Sequence, residues 1–186
     1  LSYKELFELS TKVSQLLLKL NIKRNEKIYI SSSDSINFIS SFLGAIKIGV
    51  IPIPGNPELS KDQTLHILND SKPAIILSDN NLYKKRLTFT CALYTNNAWK
   101  EFISNLKVKK IITSISKNDQ TAFLIYSSGT TGLPKAIIHQ HQILDNTYFL
   151  HKNILKLKTK DKIFTTSKLF FAYALGNNFF APLLIG

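Results

Sequence analysis

Arginine and cysteine are nearly missing from this sequence. Cys91 is the single cysteine, which excludes an internal disulfide framework and fits a reducing interior, hence a cytoplasmic protein. By itself it reads as a small buried apolar side chain. Arg24 and Arg86 are the only arginines, so lysine carries nearly all of the formal net charge of +12. Base readout and single-strand stacking favour arginine with aromatic residues interleaved. The local lysine clusters, at 107–110 and 152–162, show neither, so a solvated surface is expected and no nucleic-acid partner. Uninterrupted hydrophobic runs are missing as well. The most apolar stretch, residues 36–55, contains Lys47 and is broken by Pro52, Pro54 and Gly55, which argues against a membrane span. It divides better into a buried helix to about Ile48, a stop at Gly49 and a short strand. No signal peptide, internal repeat or low-complexity tract is visible. The chain opens at Leu1 inside a helical pattern and stops at Gly186 after an apolar run, so it is expected to be a fragment of a longer protein.

What is present suffices for a core: 186 residues, 44% of them apolar. Ser2 followed by Glu5 forms a capping-box pattern ahead of Leu6, Leu9, Val13, Leu16, Leu17 and Leu20, an apolar stripe at helical spacing. A strand is expected at 27–31, a helix from Asp34 or a neighbouring serine, a strand in VIPIP, a helix over 61–69 and a strand over 74–79. Further on, a short helix is expected at 99–106 and a strand at 109–113, then a polar link at 114–120 before the strand AFLIY. Beyond it the pattern gives a strand at 136–139, a helix at 140–151, a strand at 162–166 and a mainly apolar end. His66 and His151 read as surface residues. Helices alternate with continuously apolar strands, which defines an α/β class with layered helices and a largely parallel sheet. The link marks the one candidate boundary, between a first α/β subdomain at 1–113 and a second beginning at 114–186.

Residues 126–135, YSSGTTGLPK, concentrate the chemistry. Serine, threonine and glycine crowd ordinary turns, so composition alone supports only a loop. The context adds more. A buried strand delivers the chain to it, and Gly129 and Gly132 let backbone N–H groups approach an anion. Ser127, Ser128, Thr130 and Thr131 add hydroxyl donors, and Lys135 adds a charge. Charge-assisted contacts of this kind contribute about 1.5–3 kcal/mol each. The loop is not a Walker A motif, because its glycines are three apart and Ala136 follows the lysine; nor is it a dinucleotide-binding G-x-G-x-x-G. His139 and His141 form H-x-H, with no Cys, Asp or Glu close in sequence to complete a metal site, and no metal ligands are assigned.

The segment from Ser127 to Lys135 closely resembles the phosphate loop of the AMP-forming adenylating enzymes: acyl- and aryl-CoA ligases, luciferases and peptide-synthetase adenylation domains. The resemblance runs over almost the whole chain, through SYKELFELSTKVSQLLLKLNIKRNEKIYI and FLGAIKIGVIPIPGNPELSKDQTLHILNDSKPAIILSD. SKLFFAYALGN (167–177) is similar to the segment that walls the carboxylate site, most of all in benzoate- and hydroxybenzoate-type CoA ligases. It implies part of the large N-terminal α/β domain of an adenylate-forming enzyme. It also implies ATP, Mg2+ and coenzyme A as cofactors, and a small carboxylic acid as substrate, with an aromatic wall suited to an aryl acid. The acid is joined to AMP with loss of pyrophosphate, and a thiol then displaces the AMP. By resemblance Ser127, Ser128, Gly129, Thr130, Thr131, Gly132 and Lys135 hold the ATP phosphates, and Phe171, Tyr173, Ala174 and His141 line the acyl pocket. None of these is a catalytic acid or base. Asn177 is placed to orient a polar group.

Two departures stand out. Ala136 replaces the glycine that usually follows the loop lysine, and Ala174 replaces the glycine of Y-G-L-G, each adding a methyl close to the expected ligand. The family's adenine, magnesium and ribose sites and its mobile C-terminal domain lie downstream, so the 186-residue stretch alone is expected not to form acyl-adenylates. A peptide-synthetase-like or fatty-acyl adenylating enzyme is the alternative within the class. A degenerate binding module is the alternative outside it.

Overall fold

A computed structural model describes residues 1–78, 92–111, 113, 117–128 and 132–186. The whole stretch 79–91, Cys91 included, lies outside the described residues, as do 112 and 114–116 of the expected strand and link.

Helix α1 (Tyr3–Lys19) begins on the expected capping box: Glu5 N–H donates to Ser2 Oγ, and the Ser2 N–H donates back to Glu5 Oε2 at 2.7 Å. The Ser2 N–H, and then the Ser2 hydroxyl, donate to the exposed Glu5 carboxyl and hold it below its ordinary pKa. Strand β1 (Lys27–Ser31), helix α2 (Ile36–Lys47), strand β2 (Ile51–Gly55), helix α3 (Lys61–Ser71) and strand β3 (Ile75–Ser78) follow. Ser35 caps α2, and Gly49 ends it at a φ of +76°, where only glycine sits without strain. Strand β4 (Ala92–Thr95) and helix α4 (Asn96–Ser104) complete the first layer.

β2-β1-β3-β4 form one sheet, parallel throughout. Alternation within its strands produces two cores. Ile28, Ile30, Ile75 and Leu77 face α1, α2 and α4 through Val13, Leu17, Phe38, Phe42 and Trp99. Tyr29, Ile51, Ile53 and Ile76 face α3 through Ile67 and Leu68, and meet Leu124. Strands covered on both faces must be apolar at every position, which is why these read as continuous runs.

The second layer is an antiparallel pair, β5 (Thr121–Ser128) and β6 (Pro134–Gln140), with β5 lying against β2. Phe123 on β5 meets Phe42 edge-on at 5.4 Å and Phe180 at 5.7 Å, so the core continues across the 114–120 link. Helix α5 (Ile143–Phe149) runs on as a π-helical turn, Leu150–Ile154. Near the end, α6 (Ala172–Ala174) passes through a π-helical segment (Leu175–Phe180) into α7 (Ala181–Ile185).

Three expectations need correction. The described residues of 109–113 form no strand, and neither do 162–166. Phe164 is 88% exposed, and the run meets no partner strand among the described residues, without which an apolar sequence does not become a strand. His151 is buried at 5% exposure rather than on the surface, its Nδ1–H donating to the Thr147 carbonyl at 2.8 Å. Among the described residues no helix is long and apolar enough to cross a membrane. Lys47, inside the most apolar stretch, donates to Thr11 Oγ1 at 2.6 Å and lies 3.6 Å from the centre of the Phe7 ring.

Candidate functional site

The β5–β6 register organises the site. Ser127 pairs with Lys135, Ile125 with Ile137 and Phe123 with His139, and directly opposed residues of an antiparallel pair project to the same face. One face of the hairpin therefore runs in rungs from a hydroxyl and a charge, through two isoleucines, to two stacked rings. Gly129, Thr130 and Thr131 lie outside the described residues, and of Ser128 only the backbone is described. Gly132 has φ +82°, and a Cβ built on it would meet nothing within 4 Å among the described residues. Lys135 is exposed.

Helix α3 braces the hairpin on both strands. Tyr126 donates its hydroxyl proton to Asp70 Oδ2 at 2.5 Å, next to Ser127, and His66 Nε2–H donates to the Pro134 carbonyl at 3.0 Å, next to Lys135. Burial, and then the hydrogen bond and charge of Asp70, push the Tyr126 phenol well above the ordinary tyrosine range. It stays protonated and keeps donating. His66 is thus a contact between layers, although the sequence reads as a surface histidine there.

The rungs open onto a cavity of about 510 Å³, in the size range of small-molecule sites. Ser127 and Tyr126 line it from β5, Ile137 from β6, Gly55 from the end of β2, and Phe171 and Tyr173 from the segment before and within α6. A hydrogen bond of 3.0 Å from the Leu169 N–H to Asp34 Oδ1 ties that segment to the start of α2. Phe170, Phe179 and Phe180 are buried, whereas Phe171 and Tyr173 remain 51% and 69% exposed. These two are wall rather than core. Ala172 lines the cavity, while Ala174 is wholly buried and outside the lining. Asn177 donates its amide to the Tyr173 carbonyl at 2.9 Å.

His141 lies elsewhere, in a cavity of about 170 Å³ with Leu43, Ile46 and Leu144. Burial, and secondarily the charge of Arg24, hold its imidazole below the ordinary pKa. The residue sequence reasoning missed is His139. It lines a cavity of about 300 Å³ that shares Ile125, Ala172 and Tyr173 with the large one. The signal was available in the alternation of AIIH, once the pairing of Ser127 with Lys135 fixes which face each residue takes. Among the described residues no three His, Cys, Asp or Glu side chains gather as a metal cluster would require.

An α/β domain whose glycine- and hydroxyl-rich hairpin ends on a lysine and opens on an aromatic-walled cavity has the layout of a binding domain for an anion beside an apolar group. The model of one family, described as AMP-binding enzyme, matches residues 1–186, and the chain belongs to that family. It is 31% identical to the benzoate–CoA ligase of Thauera aromatica over 93% of this chain and 35% of that protein. It is 29% identical to the 4-hydroxybenzoate–CoA/benzoate–CoA ligase of Rhodopseudomonas palustris over 100% of this chain and 37% of the other. Among solved structures, the anthranilate CoA ligase AuaEII in complex with anthranoyl-AMP superposes with a TM-score of 0.91 at 25% identity, covering 98% of this chain and 37% of that one. The chain thus spans little more than a third of the length of these relatives.

Proposed function

We propose that this chain is the phosphate- and acid-binding part of an ATP-dependent, AMP-forming CoA ligase acting on a small aromatic carboxylic acid in the cytoplasm. One observation carries the proposal: a single cavity brings Ser127, at the root of the glycine loop, together with the exposed aromatic side chains Phe171 and Tyr173. An anion held at the loop and a flat apolar group held between the aromatics are then neighbours, as joining a carboxylate to a phosphate requires.

In this proposal the hydroxyls of Ser127, Ser128, Thr130 and Thr131 and the amides of Gly129 and Gly132 hold the β- and γ-phosphates of ATP. Lys135 supports them with its charge, and Mg2+ enters with the phosphates. The described members fit that group: Gly132 has no described neighbour where a Cβ would stand, Ser127 lines the cavity, and Lys135 stands on the rung opposite Ser127. Their work is positional and electrostatic. They fix the leaving pyrophosphate opposite the attacking carboxylate oxygen and offset the negative charge that grows on it. Phe171, Tyr173 and Ala172 orient the acid, and the Tyr126–Asp70 and His66–Pro134 bonds hold both strands of the loop in place. The second half-reaction transfers the acyl group to the thiol of coenzyme A.

The test is direct. The full-length protein, incubated with benzoate, ATP, Mg2+ and coenzyme A, is expected to give benzoyl-CoA and AMP in equal amounts by mass spectrometry. Thioester formation with fatty acids but no aryl acid would move the chain to a fatty-acyl ligase. Adenylation of amino acids would move it to the peptide-synthetase type, and no adenylation of any acid would mark a binding module.

A further inference from the structure

We propose that helix α3 sets the geometry of the Ser127–Lys135 rung, so that Asp70 and His66 are positioning residues for ATP although neither sits on that rung. This rests on the ligase proposal above and deepens it, by making contacts from outside the loop a determinant of ATP affinity. Three observations carry it. First, the two bonds from α3 fall on opposite strands and on opposite sides of the rung. Tyr126, held by Asp70, is the residue before Ser127, and Pro134, held by His66, is the residue before Lys135. Second, His66 and Asp70 lie one turn apart on one face of α3, about 6 Å along its axis. That is close to the ~4.8 Å between paired strands, so one helical turn reaches both strands of the hairpin. Third, α3 is itself held. Ser60 and Gln63 close a capping box at its start, and Lys27 Nζ on β1 donates to the Ser71 carbonyl at its end at 2.9 Å. Thr64, Ile67, Leu68 and Ser71 are buried between them.

The two bonds differ in strength. A phenol proton donated to a carboxylate at 2.5 Å is charge-assisted, the stronger kind. The Pro134 carbonyl can only accept, so the His66 Nε2 carries the proton in a bond to a neutral group. Side chains alternate along a strand, so Tyr126 takes the opposite face of β5 from Ser127, with Leu124, against Ile67 and Leu68 of α3. Asp70 therefore acts on the rung through Tyr126 and the backbone of β5. The charge of Asp70 separates two roles by the sign of the effect. A carboxylate near bound phosphates repels them, so if Asp70 acted by its charge alone, removing it would favour ATP. If it acts by holding Tyr126, and Ser127 with it, removing it weakens ATP. The competing explanation is that both bonds only stabilise the packing of α3 on the hairpin. It predicts lower thermal midpoints and unchanged kinetics in the folded variants.

The experiment uses the full-length protein and acid-dependent ATP–pyrophosphate exchange, with benzoate or a hydroxybenzoate as the acid. ATP and acid are varied in turn, below the thermal midpoint of every variant. Tyr126→Phe, which keeps the ring in the cavity wall, and Asp70→Ala are each expected to raise KM for ATP by about tenfold, and His66→Leu by about threefold or more. KM for the acid is expected to change by less than about twofold in all three. Tyr126→Phe combined with Asp70→Ala is expected to add nothing to either alone, because both remove the same bond. Asp70→Asn and His66→Gln, which keep an acceptor and a donor, are expected to restore part of the loss. A fall in KM for ATP in Asp70→Ala, or values unchanged in all three variants whatever their midpoints, overturns the assignment while leaving the ligase proposal standing. An equal rise in KM for the acid does the same, since it marks a general loss of structure. Absence of exchange with every aryl acid in wild type defeats the ligase proposal itself, and this inference with it.

Discussion

The burial of His139 and His141 carries a consequence for stability. Burial lowers both imidazole pKa values below 6.5, so between the folded and unfolded values the unfolded chain binds more protons. Stability therefore rises with pH across that window and falls on acidification below about pH 6.5. The thermal unfolding midpoint is expected to drop from pH 7.5 to about pH 5.5, and less steeply in a His139→Phe, His141→Phe double variant. Equal slopes for the two proteins would show that other groups dominate. Tyr126 works at the opposite end. Its phenol stays protonated beside Asp70, so its contribution is kept through neutral pH and lost as pH rises past the ordinary tyrosine range. Single residues were also where the sequence said least. Ser127 and Lys135 were legible because their order along the chain is their chemistry. For His139 the face it takes was legible from the alternation of AIIH, but its stacking on Phe123 was not, because that depends on the partner strand.

At the scale of elements, the contact between α1 and α2 is one with no room for an added methyl. A Cβ added to Gly44 would lie 2.6 Å from Val13 Cβ and 2.7 Å from the Ser10 carbonyl oxygen. The Ser14 hydroxyl donates to the Gly44 carbonyl at 2.7 Å across the same seam. Gly44→Ala is therefore expected to cost about 1–3 kcal/mol through overpacking, read as a lower thermal midpoint. Gly176→Ala, where the added methyl meets nothing within 4 Å, is the matched control and is expected to leave the midpoint nearly unchanged. If both variants behave alike, the seam does not limit stability. The capping box at Ser2, the stop at Gly49 and the parallel strands were readable because each is encoded locally, by a cap, a glycine or an apolar run. The runs at 109–113 and 162–166 misled for the converse reason. Their residues favour a strand, but a strand also needs a neighbour, and local sequence does not reveal whether one is there. The brace of α3 on the hairpin was illegible too, since Asp70 and Tyr126 are 56 residues apart.

For the whole molecule, the two cores of the parallel sheet and the shared Phe42, Phe123 and Phe180 cluster hold the hairpin against the first layer. That is what brings Ser127 and the aromatics near residue 172 to one cavity. The fold class followed from sequence, whereas the placement of His141 and His139 in cavities other than that one follows only from how the layers pack. The chain spans little more than a third of its relatives, so the proposed reaction is one to test on the full-length protein. The measurement that bears most directly on the account is acid-dependent ATP–pyrophosphate exchange, run in parallel on the full-length protein and on the 186-residue stretch alone. The account predicts exchange that requires an aryl acid in the full-length protein and none in the stretch by itself. Exchange by the isolated stretch, or no exchange with any aryl acid by the full-length protein, would contradict it.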